Sequence, residues 1–151
     1  MWWHEDKGGN MWQKPKTDWS ANYIDGVYEG DYFNVEDYNR IKNNLNHLNT
    51  LAQVLYPKFL IVDMGGDKQV GDYFYADEIN VFEDNLRTIN VHTVNLNIGS
   101  TPRYLPDEGI MTFSDLNRLE GEILRLYNIL QNSYDNRRRL KLRFEQRKVI
   151  I

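Results

Sequence analysis

The side chains of this chain with chemical potential fall into three sets, and each lacks something its chemistry needs. Asp63, Asp67 and Asp72 flank Gly65, Gly66 and Gly71. Carboxylates on such a loop suit a hard cation like Ca²⁺. The spacing does not match an EF-hand loop, however, and Asp and Gly are ordinary turn residues, so a solvated turn is expected and no metal site. His4, His47 and His92 are scattered, and the last two are expected on outward helix positions. No serine or threonine sits in a nucleophile elbow, and there is neither a Walker-type loop nor a His pair at helical spacing. The chain has no cysteine, which excludes thiolate nucleophiles, disulfides and sulfur-ligated zinc.

The third set is the run Arg137, Arg138 and Arg139 with Lys141 and Arg143. Such a run can grip phosphates. Residues 136–151 hold seven basic side chains against Glu145, a local charge of +6; since the whole chain carries −4, residues 1–135 carry −10. An acidic body repels a polyanion, and only Phe144 interrupts the basic run to stack on a base, so no nucleic-acid partner is expected. An acidic body with a basic tail suits head-to-tail association with copies of itself or with an acidic neighbour. Neither an enzyme nor a cofactor is expected.

The elements that would position these residues come from one phrase written three times. Aligned on an asparagine, Tyr38–Leu45, Ile79–Leu86 and Leu116–Ile123 share apolar positions stepping by three and four, and each continues to Leu48, Ile89 or Leu126. Each stripe marks one face of a helix that is unstable until covered, and a period near 40 residues marks a repeated unit. At 151 residues, a single domain is expected. The fold class is therefore mainly α: three pseudo-repeated amphipathic helices in a bundle whose core is Ile41, Leu45, Phe82, Leu86, Leu119 and Ile123. Asn39, Asn80 and Asn117 stand beside a core position in each copy, where an amide can donate and accept across to a neighbouring backbone. The chain divides into an irregular Trp-rich N-terminal docking arm (1–31), the three-repeat bundle (32–135) and a basic C-terminal strand or tail (136–151).

Local signals add detail. Asn34 is a good N-cap, with Glu36 and Asp37 in the first turn, and Pro57 ends the first helix. Thr112 with Asp115 forms a capping box for a third helix expected to run to about Tyr134. Short β segments are expected at about 58–62, 94–98 and 139–144, the last because Leu140, Leu142 and Phe144 alternate with cations. The four tryptophans, Trp2, Trp3, Trp12 and Trp19, all lie in the arm. They must dock on the bundle or on a partner: Trp12 and Trp19 can cap the core, whereas the terminal pair favours a partner. No run approaches the ~20 apolar residues of a membrane span, and the polar start does not read as a signal peptide, so a soluble intracellular product is expected.

Several strings resemble small structural proteins encoded in the tail modules of tailed phages and prophages of Gram-positive bacteria. They are Trp12-Gln13-Lys14-Pro15-Lys16-Thr17-Asp18-Trp19, the run from Gly30 to Asn44, Met64-Gly65-Gly66-Asp67-Lys68, Tyr75-Ala76-Asp77-Glu78-Ile79-Asn80, Asn85-Leu86, the run from Phe113 to Glu120, and Arg137-Arg138-Arg139-Leu140. The resemblance spans about residues 12–144 and implies a virion role without catalytic content. No receptor-binding part is expected after Ile151, so the resemblance implies an adaptor, collar or baseplate component of the tail end. Its expected partners are itself and other tail proteins, joined through the four tryptophans and through Arg137, Arg138, Arg139, Leu140, Leu142 and Phe144. The alternative is a receptor- or cell-wall-carbohydrate-binding module, with exposed tryptophans stacking on sugars.

Overall fold

A computed structural model describes residues 12–108 and 111–148 of the chain, with side chains as far as Arg137 and at Leu140. Three helices dominate the described residues: α1 (Val35–Leu55), α2 (Ala76–His92) and α3 (Phe113–Lys148). Each begins where its sequence supplies a cap. Asn34 Oδ1 accepts from Asp37 N, and Asp37 Oδ2 from Asn34 N; Thr112 and Asp115 exchange the same pair of bonds. At α2 the Glu78 carboxylate reaches back to Tyr75 N. The first helix stops at Leu55, two residues before Pro57, which disfavours helical geometry in its predecessor.

The three apolar stripes cover one another. Ile41, Leu45 and Leu48 of α1, Phe82, Leu86 and Ile89 of α2, and Leu116 through Leu130 of α3 form one fully buried cluster, and every helix packs against the other two. The chain returns between helices as extended segments lying along them. From Gln53 back to Asn39, α1 holds Phe59 and then Lys68, so the segment after α1 runs back toward its start. From Asn90 back to Asn80, α2 holds Leu96 and then Tyr104 in the same sense. All three helices therefore begin at one end of the bundle and point the same way.

The expected β segments are corrected. Residues 58–62 and 94–98 are extended, but they form no strand, because helix-borne amides rather than a second strand satisfy their backbone. Residues 139–144 are helical, part of α3. Arg, Leu and Lys are strong helix formers, and no glycine or proline interrupts the chain between Tyr134 and Lys148, so propagation prevails over a two-residue alternation with no strand to pair with. The only sheet among the described residues is the hairpin β1 (Tyr23–Ile24) and β2 (Val27–Tyr28), closed by Asp25 and Gly26 at φ 50° and 79°. Two successive positive φ values match a two-residue turn whose twist suits a hairpin.

In the repeat alignment Leu55, the last residue of α1, corresponds to Ser133. The 15 residues of α3 beyond that point add about 22 Å of helix, at roughly 1.5 Å per residue.

Truncating Leu45, Leu86 or Ile123 to Ala is expected to cost about 2–5 kcal/mol through lost transfer energy and a residual cavity. Urea titration should show the midpoint falling at constant m.

Candidate functional site

The most regular polar feature of the molecule is a set of two-point amide clamps. Asn39 donates to Lys68 O at 3.0 Å and accepts from Lys68 N at 2.8 Å. Asn80 does the same to Tyr104, both bonds at 2.8 Å. Asn117 does it to Trp19, at 2.9 and 2.7 Å. The three aligned asparagines thus perform one act: each fixes both peptide groups of one residue in the extended segment beside it. A primary amide carries a donor and an acceptor in one plane, as a neighbouring β-strand would, so it satisfies a backbone that no strand reaches.

A second amide set was missed in the sequence. Asn44 clamps Gln13, Asn85 clamps Val62 and Asn90 clamps Leu96 by the same paired bonds. The signal was present, since Asn44 and Asn85 share a column of the alignment; the third copy has Glu122 there. Residues 13 and 19 are held by α1 and α3, and residues 62 and 68 by α2 and α1. Each of these two segments therefore lies in the groove between two helices, held at points six residues apart.

One column further in, the copies bury charge. Lys42, Glu83 and Glu120 are aligned, and all are buried. Glu120 receives Arg40 Nε at 2.8 Å and Nη2 at 3.0 Å, Trp19 Nε1 at 2.6 Å and Lys16 N at 3.1 Å. Burial opposes the charge on Arg40, but hydrogen bonds and attraction from Glu120 and Asp37 outweigh it and raise its pKa. Arg118 pairs with Glu83. Burial nevertheless pushes the Glu83 carboxyl up, against the pull of Arg118. Lys42 Nζ meets Asp67 Oδ1 at 2.5 Å and Gly65 O at 3.3 Å, and the Lys42 hydrogen bond holds Asp67 below the usual carboxylate range.

Ile41, Leu45, Phe82, Leu86, Leu119 and Ile123 are fully buried in the core. Trp19, only 4% exposed, is a core residue and no joint for a partner: its ring stacks on Phe113, and its indole N–H is spent on Glu120. Trp12 is half-buried and stacks on Tyr127 at 3.8 Å. Trp2 and Trp3 lie outside the described residues. The expectation for His47 is corrected: it is buried, 5.9 Å from the Trp12 ring and 5.8 Å from that of Tyr127, because the segment carrying Trp12 covers that face of α1. His92 is exposed and stacks on Phe59. Asp63 and Asp72 accept from Gly65 N and Gln69 N as turn residues, while Asp67 is taken by Lys42. Arg137 and Leu140 are exposed on α3, and Arg138, Arg139, Leu142 and Phe144 share its helical backbone. Among the described residues no group of three or more His, Asp or Glu is placed so that it could hold a metal ion.

No family model, no curated protein and no solved structure matches the chain.

Asn80→Ala should cost about 1–3 kcal/mol, because it strands a part-buried donor and acceptor of Tyr104. Asn80→Asp, which keeps the acceptor but sets a carboxylate against the Tyr104 carbonyl, should cost more in the same urea titration. Acid should act through the Lys42–Asp67 pair. The Asp67 pKa is depressed in the folded chain, so its contribution is present above about pH 4 and is lost as pH falls through the folded value. Lys42→Met removes that partner, and its stability between pH 5 and pH 2 should fall less steeply than that of the unaltered chain.

Proposed function

We propose that the chain is a non-enzymatic structural protein of a phage virion, an adaptor or collar component of the tail end or baseplate that works by oligomerising and docking other tail proteins. The observation that carries this reading is how the interior polar groups are used. The six asparagine clamps and the Arg40–Glu120 and Lys42–Asp67 contacts all tie the chain's own return segments and helices together. The product is a bundle that leaves two surfaces for presentation: the basic C-terminal stretch of α3 and an exposed aromatic end. The resemblance of residues 12–144 to tail-module proteins supports the same reading. In the carbohydrate-binding alternative exposed tryptophans would stack on sugars, and Trp19 and Trp12 are taken up within the fold. No helix among the described residues is long and apolar enough to cross a membrane. The proposed location is the tail end of a particle assembled in the host cytoplasm.

Mass spectrometry of gradient-purified particles from a host carrying the gene should find the chain at a fixed ratio to the tail proteins, and deletion should yield particles lacking a tail-end feature by electron microscopy. Purified particles without the chain, or a deletion that leaves tails intact and infectious, would overturn the proposal.

A further inference from the structure

The end of the bundle where all three helices begin differs from the rest of the surface. The stretches leading into the helices, residues 20–36, 69–79 and 104–115, together contain ten Asp and Glu and not one Lys or Arg; of these acids, Asp31 and Glu78 are paired with Lys16 and Lys68 from beside the stretches. Packing brings the described residues of these stretches to the same end: Phe33 of the first meets Phe74 of the second at 5.2 Å, and Trp19 beside the first stacks on Phe113 of the third at 5.8 Å. Outside this aromatic layer, large side chains stand in solvent, among them Tyr23 at 69%, Tyr32 at 70% and Tyr73 at 76% exposure. Ile24 and Val27 of the hairpin and Leu105 are also more than half exposed. Exposed apolar side chains grouped at one end mark an interaction surface.

The opposite end carries the complement. Residues 136–148 of α3 bear seven basic residues against one acidic, and Asn136, Arg137 and Leu140 of this stretch are exposed. Being one continuous helix, this arm points away from its own acidic end and cannot reach it.

We infer that the basic arm of α3 in one copy docks on the acidic, tyrosine-rich end of a second copy. The inference rests on the assembly reading above and specifies the joint. Arginines meet carboxylates there and lie over tyrosine faces, a contact that combines ion pairing with cation–π attraction. Because the two surfaces are different and sit at opposite ends, the contact is heterologous: repeated, it closes a ring or continues as a filament, and it does not stop at a two-fold dimer.

Charge exchange on the full chain tests it. Variant one carries Arg137→Glu, Arg138→Glu and Arg139→Glu; variant two carries Glu29→Lys, Glu36→Lys and Glu108→Lys, three carboxylates that are exposed. Circular dichroism and thermal melts check that both remain folded. By sedimentation velocity at 50 mM salt the unaltered chain should form oligomers that dissociate toward monomer at 500 mM, as screened attraction must. Each variant alone should associate at least about tenfold more weakly. An equimolar mixture should form one-to-one pairs, because the unaltered basic arm of variant two still meets the unaltered acidic end of variant one, and should stop there, because the neutralised arm and the weakened end left over no longer attract. A chain that stays monomeric at low salt, or variants that assemble alone as well as the unaltered chain, overturns the joint. If a variant fails to fold, the salt titration of the unaltered chain decides: association unchanged between 50 and 500 mM overturns it. Presence of the chain in purified particles is read independently, so loss of this joint and loss of the virion reading are separate results.

Discussion

An extended chain laid in a groove between helices has peptide groups with nowhere to bond, and the fold depends on how that is resolved. A buried peptide left unpaired costs about as much as a lost hydrogen bond. The helices cannot lend their own backbone, which is committed along the axis. The asparagine amide supplies the missing strand edge one residue at a time. Its position on the helix then sets where the segment crosses. Asn39, Asn80 and Asn117 draw Lys68, Tyr104 and Trp19 to the starts of their helices, which brings the chain back to the level where the next helix must begin. The same-direction arrangement of the three helices follows from these bonds, since short loops alone would favour antiparallel neighbours.

The buried charges then make the three copies non-interchangeable. Arg40 of α1 reaches Glu120 of α3, and Arg118 of α3 reaches Glu83 of α2. At the remaining interface the arginine column holds Val81 and the acid column Lys42, whose partner comes from the loop as Asp67. If the helices closed in the opposite circular order, Arg118 would face Lys42, and Glu120 would face Val81. Like charges and an unpaired carboxylate in a buried site cost several kcal/mol. A repeat of near-identical helices can close either way round, and the asymmetric charges disfavour one of the two.

The apolar skeleton was legible because helical periodicity is local: the stripes through Ile41, Phe82 and Leu119 needed only spacing. The same locality misled at residues 139–144. Leu140, Leu142 and Phe144 alternate as a strand would, but a strand requires a partner, while a helix requires only continuation, and α3 was already formed. At 58–62 and 94–98 extended conformation was legible and the bonding partner was not, since Asn85 and Asn90 are distant from Val62 or indistinguishable from ordinary polar helix positions. His47 was misplaced for a related reason. Helix periodicity says which face meets the other helices, but it is silent on a face covered by Trp12, which lies 35 residues earlier. The hairpin had its Asp25-Gly26 turn signal, and its two-residue strands are too short to show a period.

Polarity is a further consequence of this arrangement. Acidic residues favour helix starts because the first turn presents unpaired N–H groups and a partial positive charge. In an antiparallel bundle those acids would alternate between the ends and cancel. Here Glu36, Asp77 and Asp115, with the capping acids beside them, collect at one end because the clamps force the helices to start together. The opposite end receives the helix C-termini, where cations are favoured, and α3 continues there into its basic stretch. Local capping preferences that would be invisible at long range in most bundles thus add up to a molecular dipole, set by which residues of the return segments the asparagines hold.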